Sequence, residues 1–336
     1  MEKRCALIFN PVAGKGKART LRPLIEAWLA GADFAIDIME TESHGHAGKL
    51  AYEACGKGYS MVVAAGGDGT CNEVINGMME FRRKQPEKLP ALGILPIGRG
   101  NDFAYGVGIP AKLEAACKSL LAGNEEDLDI GSIKGGFYPD GRFFGNGIGI
   151  GFDTIVGLKA AEKKNVQGAI TYLYGAIDTL ISYPKAPHIS IHFNNESREL
   201  QTHQISILNG RRMGGMFHMA PFGKKNDGLL DLCLVNKSLT RREMLRLMLH
   251  YIKGSQHRSG LVENARAPDF HILAPNGGLV CHADGETICI DGTELTVECI
   301  PAALRIICDP DLPADLPIVA DGDPASAPGD QVADIA

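Results

Sequence analysis

The residues best placed to do chemistry fall in three glycine-rich stretches and one acidic triplet. The stretch "AAGGDGTCNE", Ala64 to Glu73, sets three glycines around an aspartate, straight after an apolar run and before a helical pattern. Glycines let a chain turn with positive φ and approach a ligand closely. The freed N–H groups of such a turn and of the following helix then face an anion. Gly66, Gly67, Asp68, Gly69 and Thr70 therefore predict a phosphate-binding junction, to which Thr70 and Asn72 add side-chain donors. Asp68 cannot attract phosphate itself, so it implies bridging through Mg²⁺ or a hydrogen bond to a sugar hydroxyl or loop N–H. A tight turn whose aspartate caps the helix is the plainer alternative.

Asn10-Pro11-Val12-Ala13-Gly14-Lys15-Gly16 is a second such loop, and it does not fit the G-x-x-x-x-G-K-[ST] phosphate loop. Pro96-Ile97-Gly98-Arg99-Gly100-Asn101-Asp102 is the third, and Asp102 there predicts a residue that steadies the loops. Asp284 and Glu286 supply a carboxylate pair two residues apart. On a strand they would point the same way. In a turn their relation is open, and "DGE" alone reads as a hairpin turn.

These residues need elements to hold them. Ala6 to Phe9, Met61 to Ala65 and Leu92 to Leu95 are short apolar runs of the buried-strand type, and each ends at one of the glycine loops. Phe34, Ile36 and Ile38 alternate as a further strand. Leu21, Leu24, Ile25, Trp28 and Leu29 carry helical spacing, as do Val74, Ile75, Met78 and Met79, and the segment Leu113 to Leu121. Strands alternating with helices predict a mainly parallel, Rossmann-like sheet with helices on both faces. Its three glycine loops would then emerge at one carboxyl edge, where ligands of open α/β sheets bind.

Beyond about Asp129 the pattern turns to period-two alternation, as in His188 to Asn194 and Glu294 to Cys299, which predicts half-buried antiparallel strands. Two helices interrupt them, Ala169 to Ile181 and Arg241 to Lys253. The second mixes five basic or histidine side chains with leucines and methionines, so a core helix with a solvated face and a membrane-surface helix are both open.

The 336 residues suffice for two domains. The net charge of −6 is misleading, because Asp309 to Ala336 holds seven aspartates and no Lys or Arg, leaving +1 for the rest. That Pro-, Gly- and Asp-rich tail is expected to be disordered. Nine cysteines without a CxxC pair predict reduced thiols in a cytoplasmic setting. No run approaches the length of a membrane span, so any membrane contact would be peripheral.

Taken in order and spacing, "NPVAGKGK", "GGDGTCNEVINGM", "LGILPIGRGNDFAYGVGIP", "FFGNGIGIGFD", "NDGLLDLCLV" and "HADGE" resemble the soluble diacylglycerol-kinase-like lipid kinases. That family includes bacterial diacylglycerol and phosphatidylglycerol kinases and the sphingosine and ceramide kinases. The resemblance covers about residues 1 to 308. It implies an α/β nucleotide-binding domain of residues 1–128 and 300–309, a β-sandwich domain of residues 129–299, and an active site in the cleft between them. It further implies that ATP is held by Asn10, Pro11, Val12, Ala13, Gly14, Thr41, Gly66, Gly67, Asp68, Gly69, Thr70, Asn72, Glu73, Gly98 and Arg99. Glu286 matches the proton acceptor and Asp284 its acidic partner. A structural Mg²⁺ would be held by Asp227 with carbonyls at Lys224 and Leu229, the alternative for Lys224 and Lys225 being contacts with phosphate or a membrane. Two departures stand out: Asn226 replaces an acidic residue common in relatives, and Arg99 replaces a small hydroxylated one.

The activity implied is ATP- and Mg²⁺-dependent phosphorylation of a membrane lipid hydroxyl, that of diacylglycerol, giving phosphatidic acid. NAD-kinase-like action on a soluble dinucleotide and a non-catalytic lipid-binding protein are the rivals. Expected partners are the lipid, an anionic membrane surface met by Lys15, Lys17 and Arg19 or by Lys159, Lys163 and Lys164, and a second copy of the chain. No nucleic acid is expected. His44 and His46 are expected to be loop residues.

Overall fold

The computed structural model describes residues 3–86, 89–162 and 169–309. Lys163, Lys164 and the tail from residue 310 lie outside the described residues.

An apolar run buried on both faces suits a strand held between two helix layers. β1 (Arg4–Phe9), α1 (Lys17–Leu29), β2 (Ala35–Glu40), α2 (His46–Gly56), β3 (Met61–Gly66), α3 (Asp68–Lys84) and β4 (Ala91–Pro96) alternate in this way. The strands pair in parallel in the order β2-β1-β3-β4. Every residue of β3 and β4 is buried. Helix α3 buries Val74, Ile75, Met78 and Met79, the stripe its spacing predicts. The short α4 (Asp102–Gly106) and α5 (Leu113–Ala122) complete this part.

Long antiparallel strands follow, beginning with β5 (Glu125–Gly135), β6 (Tyr138–Phe144) and β7 (Gly147–Gly151). Helices α6 (Phe152–Glu162) and α7 (Ala169–Ser182) come next, then β8 (His188–Phe193), β9 (Glu196–Gln201), β10 (Gln204–Leu208) and β11 (Leu230–Val235). Helix α8 (Arg241–Lys253) precedes β12 (Val262–Ala267), β13 (Asp269–Leu273), β14 (Leu279–Ala283), β15 (Glu286–Gly292) and β16 (Glu294–Ile307). Among the described residues, six strands pair in the order β12-β11-β10-β7-β14-β15. Their inner face, with Ile148, Ile150, Ile205, Ile207 and Leu232, packs on Ile133, Ile189, Phe270 and Leu295 of the other sheet. The result is a β-sandwich.

Strand β16 joins the two halves. Glu294 to Glu298 pair with β13, an irregularity falls between Ile300 and Leu304, and Ile306 then lies parallel to Leu92 of β4. One strand thus belongs to the sandwich at its start and to the parallel sheet at its end.

The outer face of the six-stranded sheet is covered by helices. Val156 of α6, Ala176 of α7 and Met244, Leu247, Met248 and Tyr251 of α8 pack over Leu208, Cys233 and Val235. Helix α8 starts in a capping box, in which Thr240 and Glu243 satisfy each other's backbone N–H. Its core face is therefore real. Leu245 and Leu249 on its other face remain 51% and 55% exposed beside Arg241, Arg242 and Arg246.

Candidate active site

The three glycine loops do meet at the carboxyl edge of the parallel sheet. Asn10 fixes the first loop to the second: its Oδ1 accepts the Val12 N–H at 3.1 Å and its Nδ2 donates to Thr70 Oγ1 at 2.9 Å. The Gly66 carbonyl accepts the N–H groups of Ile97 and Gly98 at 2.8 and 3.1 Å, tying the second loop to the third. Gly67 and Gly98 are in backbone contact, and a Cβ on Gly98 would stand 2.5 Å from the Gly67 Cα. Only glycine fits there. Asp68 holds the same junction, accepting the N–H groups of Asn101 at 2.7 Å and Phe103 at 3.1 Å. Of the roles open to it, loop N–H binding is the one the structure fills.

A cavity of about 800 Å³ runs from these loops into the second domain. One end is lined by Asn10, Val12, Ala13, Gly14, Thr41, Gly67, Asp68, Gly69, Thr70, Asn72, Glu73, Gly98 and Arg99. Pro11 and Gly66 are buried and do not line it. Arg99 is exposed at this end. Thr41 is set there by its N–H bond to Phe9 O at 2.9 Å.

Asn72 and Glu73 face the cavity but are also spoken for by the protein. Asn72 Nδ2 donates to Phe143 O at 3.2 Å and to Asp284 Oδ2 at 3.1 Å, and its Oδ1 accepts from Arg142 at 2.8 Å. Glu73 accepts the Gly45 and Ala47 N–H groups at 2.8 and 3.1 Å, at the N-terminus of α2, where a carboxylate is favoured.

Asp284 and Gly285 form the two-residue turn of the β14–β15 hairpin, with φ of +46° and +87° and Ala283 paired to Glu286. The strand alternative for "DGE" is thereby excluded. The Asp284 carboxylate accepts N–H groups from Gly145 at 2.7 Å, Asn146 at 3.1 Å and Gly147 at 2.9 Å, besides the Asn72 amide. Burial pushes its pKa up while these donors pull it down. Asp284 thus pins the hairpin to both α3 and the start of β7. Glu286 opens β15 with its side chain 28% exposed, and its neighbours Gly285 and Thr287 line the cavity. The carboxylate left free of backbone donors is that of Glu286.

His44 was legible only as a loop residue. Its Nδ1 is 3.1 Å from Glu73 and its Nε2 is 3.9 Å from Glu286, so it bridges the cleft while remaining 77% exposed. Arg212 is a second residue that sequence reasoning passed over. It donates to Asp102 at 2.7 Å and to Gly100 O at 3.1 Å, and Gly215 N–H adds a bond of 2.9 Å to the same carboxylate. Burial and the charge of Asp68 raise Asp102 to about 6 against the pull of Arg212. This pair clasps the second domain onto the third glycine loop, as expected of Asp102 but with a partner 110 residues away.

The far end of the cavity is apolar. Phe152, Val156, Leu158, Ala160, Ala176, Met213, Phe217, Met219, Met248 and Tyr251 form its walls. The "GNGIGIG" stretch gives β7 two unlike faces. Ile148 and Ile150 turn into the sandwich core, while the alternate glycines of β7 carry no side chain on the outer face, where Asp153 and the backbone of Ile207 and His203 come close instead.

Lys224, Asp227 and Leu229 lie outside this cavity, in the loop before β11. Asp227 is exposed and its Oδ1 accepts the Leu229 N–H at 3.2 Å. Buried Asp129 fixes the loop, accepting the Gly228 and Ala302 N–H groups at 2.7 Å each. Burial lifts the Cys299 thiol to about 12, and the charges of Asp129 and Asp227 add to it, which marks a negative potential there. Among the described residues no three His, Cys, Asp or Glu side chains gather. A carboxylate with backbone carbonyls nevertheless fits a hard cation.

Two lysines expected at a phosphate or membrane surface point elsewhere. Lys225 donates to Val107 O at 3.0 Å and pairs with Glu126 at 3.0 Å, and Lys159 bonds Ser182 at 2.6 Å and pairs with Asp178 at 3.3 Å. Lys15, Lys17 and Arg19 are exposed. All nine cysteines are free, eight of them buried. No helix among the described residues is long and apolar enough to cross a membrane.

Known proteins share this two-domain fold. Residues 4–133 match the diacylglycerol kinase catalytic domain and residues 146–308 the YegS C-terminal NAD kinase beta sandwich-like domain. The probable lipid kinase YegS of Salmonella arizonae is 33% identical over 304 residues, covering 89% of this chain and 95% of that one. A crystal structure of a putative diacylglycerol kinase from Bacillus anthracis superposes with a TM-score of 0.75 at 24% identity, over 93% of this chain and 96% of that one. A second putative diacylglycerol kinase structure from that organism gives 0.74 at 25% identity, over 93% and 98%. The chain is a kinase that belongs to the diacylglycerol-kinase-like lipid kinase family.

Proposed function

We propose that the protein transfers the γ-phosphoryl group of ATP to the hydroxyl of diacylglycerol in a membrane, giving phosphatidic acid. The observation that carries this reading is the continuity of the cavity: a glycine-loop end suited to phosphates opens into an apolar chamber suited to acyl chains, with the Asp284–Glu286 hairpin between them. The glycine loops and Arg99 hold the triphosphate through backbone N–H groups and charge. The acceptor oxygen attacks the γ-phosphorus, the bond to the β–γ bridging oxygen breaks, and Glu286 takes the hydroxyl proton. Asp284, fully engaged with N–H donors, acts by position. ATP would bring Mg²⁺ that neutralises phosphate charge, and Asp227 with carbonyls of Lys224 and Leu229 would hold a structural Mg²⁺.

Exposed Tyr174, Ile177 and Ile181 of α7 and Leu245 and Leu249 of α8, beside the arginines of α8, support peripheral contact with an anionic bilayer from the cytoplasmic side. The test is transfer of labelled γ-phosphate from ATP to diacylglycerol, phosphatidylglycerol, sphingosine, ceramide and NAD, with and without anionic vesicles. Labelled phosphatidic acid, formed faster with vesicles, is expected. Phosphorylated NAD would refute the lipid reading, and no transfer to any acceptor would leave a lipid-binding protein without catalysis.

A further inference from the structure

The chamber is apolar except along one row. Strand register sets Cys233 of β11, Ser206 of β10, Gly149 of β7, His282 of β14 and Thr287 of β15 side by side. Residues directly opposite across strands share a face. Gly149 leaves a gap in that row, and the carboxyl group of Asp153 fills it. A Cβ on Gly149 would stand 2.6 Å from Asp153 Oδ2 and 2.7 Å from Oδ1. Asp153 Oδ2 accepts the Ser206 hydroxyl at 2.7 Å, Ser206 in turn accepts from Gln204 Nε2 at 3.2 Å, and Asp153 Oδ1 accepts the Thr154 N–H at 2.8 Å. The carboxyl is therefore oriented, and its remaining surface lines the cavity.

No Lys or Arg among the described residues pairs with it. The titratable groups facing it from other elements are Cys233 on β11, Tyr251 on α8 and His282 on β14, with Cys281 of β14 behind the sheet in the sandwich core. Burial raises the two thiols and the phenol and lowers His282 to about 4, so all four are uncharged near neutrality. A buried carboxyl without a cation favours its neutral form, which has one O–H to donate.

We propose that Asp153 reads the acceptor, its neutral carboxyl O–H donating a hydrogen bond to an ester carbonyl of the lipid and so selecting an uncharged ester-linked glycerolipid over an amine-bearing one. This rests on the lipid-kinase reading above. Burial lifts Asp153 to about 7. The neutral donor therefore persists below that pH and gives way, above it, to a carboxylate that repels a carbonyl oxygen.

The experiment measures the KM for short-chain diacylglycerol in mixed micelles from about pH 5.5 to about pH 8.5, bracketing this titration. With the native chain, KM for the lipid should rise about tenfold across the range while KM for ATP stays level. Asp153→Asn keeps an N–H donor but has no proton to lose, so its KM should be raised about threefold at low pH and be flat above it. Asp153→Leu should raise KM about tenfold or more at low pH. Ser206→Ala removes a donor that favours the carboxylate, so the rise should move to higher pH, and this small change keeps the test alive if the leucine variant fails to fold. A native-like pH profile in Asp153→Asn would overturn the proposal. So would equal loss in the asparagine and leucine variants together with preference for an amine-bearing acceptor. If the native chain phosphorylates no lipid, the lipid-kinase reading itself falls and takes this inference with it.

Discussion

At the glycine-loop end of the cavity the polar side chains are turned back onto the protein, whereas at the chamber end a polar group faces the void. Asp68, Asn72, Glu73 and Asp284 engage their oxygens and amides with backbone or neighbouring side chains, which leaves a ligand the loop backbone and side chains such as the exposed Arg99. Around the chamber, α6, α7 and α8 supply side chains, and Asp153 meets the cavity across a bare glycine. On the proposed function the first end would read a ligand largely by backbone geometry fixed from several strands at once. The second would read it by side chains on helices laid over a sheet, where a substitution changes shape without unpicking the loops.

Several substitutions would break or sharpen that contrast. The largest effect belongs to the hairpin between the two ends. Glu286→Gln should lower phosphoryl transfer about 10³-fold with ATP affinity nearly unchanged, as loss of a general base requires. Single-turnover transfer beside calorimetric ATP binding would check it, and retained turnover would move the base elsewhere. Gly98→Ala comes next. Its Cβ would press on the Gly67 backbone 2.5 Å away. It should cost about 1–3 kcal/mol of stability by overpacking, and it should weaken ATP binding too. Urea unfolding at unchanged slope would test the first part. An ATP affinity equal to that of the native chain would show that the loops tolerate reshaping and would dissolve the contrast.

At the chamber end, Ala176→Phe fills space on α7 at a position only 1% exposed. It should lower kcat/KM for long-chain diacylglycerol about tenfold, or about 1.4 kcal/mol, and spare KM for ATP. A loss independent of chain length would deny the chamber its acyl role. The smallest effect is outside both ends. Asp227→Ala should remove a Mg²⁺-dependent gain in melting temperature of about 2–4 °C, corresponding to about 1 kcal/mol in a chain of this size. Equal melting curves with and without Mg²⁺ in the native chain would discard the structural metal.

What the sequence made readable follows the same division. Apolar runs ending at glycine loops are local patterns, so β1, β3 and β4 and their three loops were found with their junctions nearly in place. The spacing of Val74, Ile75, Met78 and Met79 located the buried face of α3 for the same reason. Asp153 carries no such mark. "GFDTIV" gives neither period, and the residue matters only because register sets Gly149 beside Ser206 and His282. Arg212 is equally silent, since its partner Asp102 lies in another domain. Lys225 misled, because a lysine beside an acidic loop reads as surface until Val107 O and Glu126 are seen to hold it. Long-range partners fix the meaning of single polar residues, and composition does not contain them.

The shared strand β16 has a consequence for how the chain is made. Strand β4 leaves the ribosome at Pro96, but its neighbour on the open side arrives only with Ile306. At ~5–20 residues per second, synthesis of the intervening stretch takes roughly 10–40 s, during which the nascent parallel sheet has an unpaired edge. Such an edge templates wrong pairings. A ribosome-bound nascent chain stopped before Glu294 should therefore lean on chaperones, and release of the last strand should close both domains in one step.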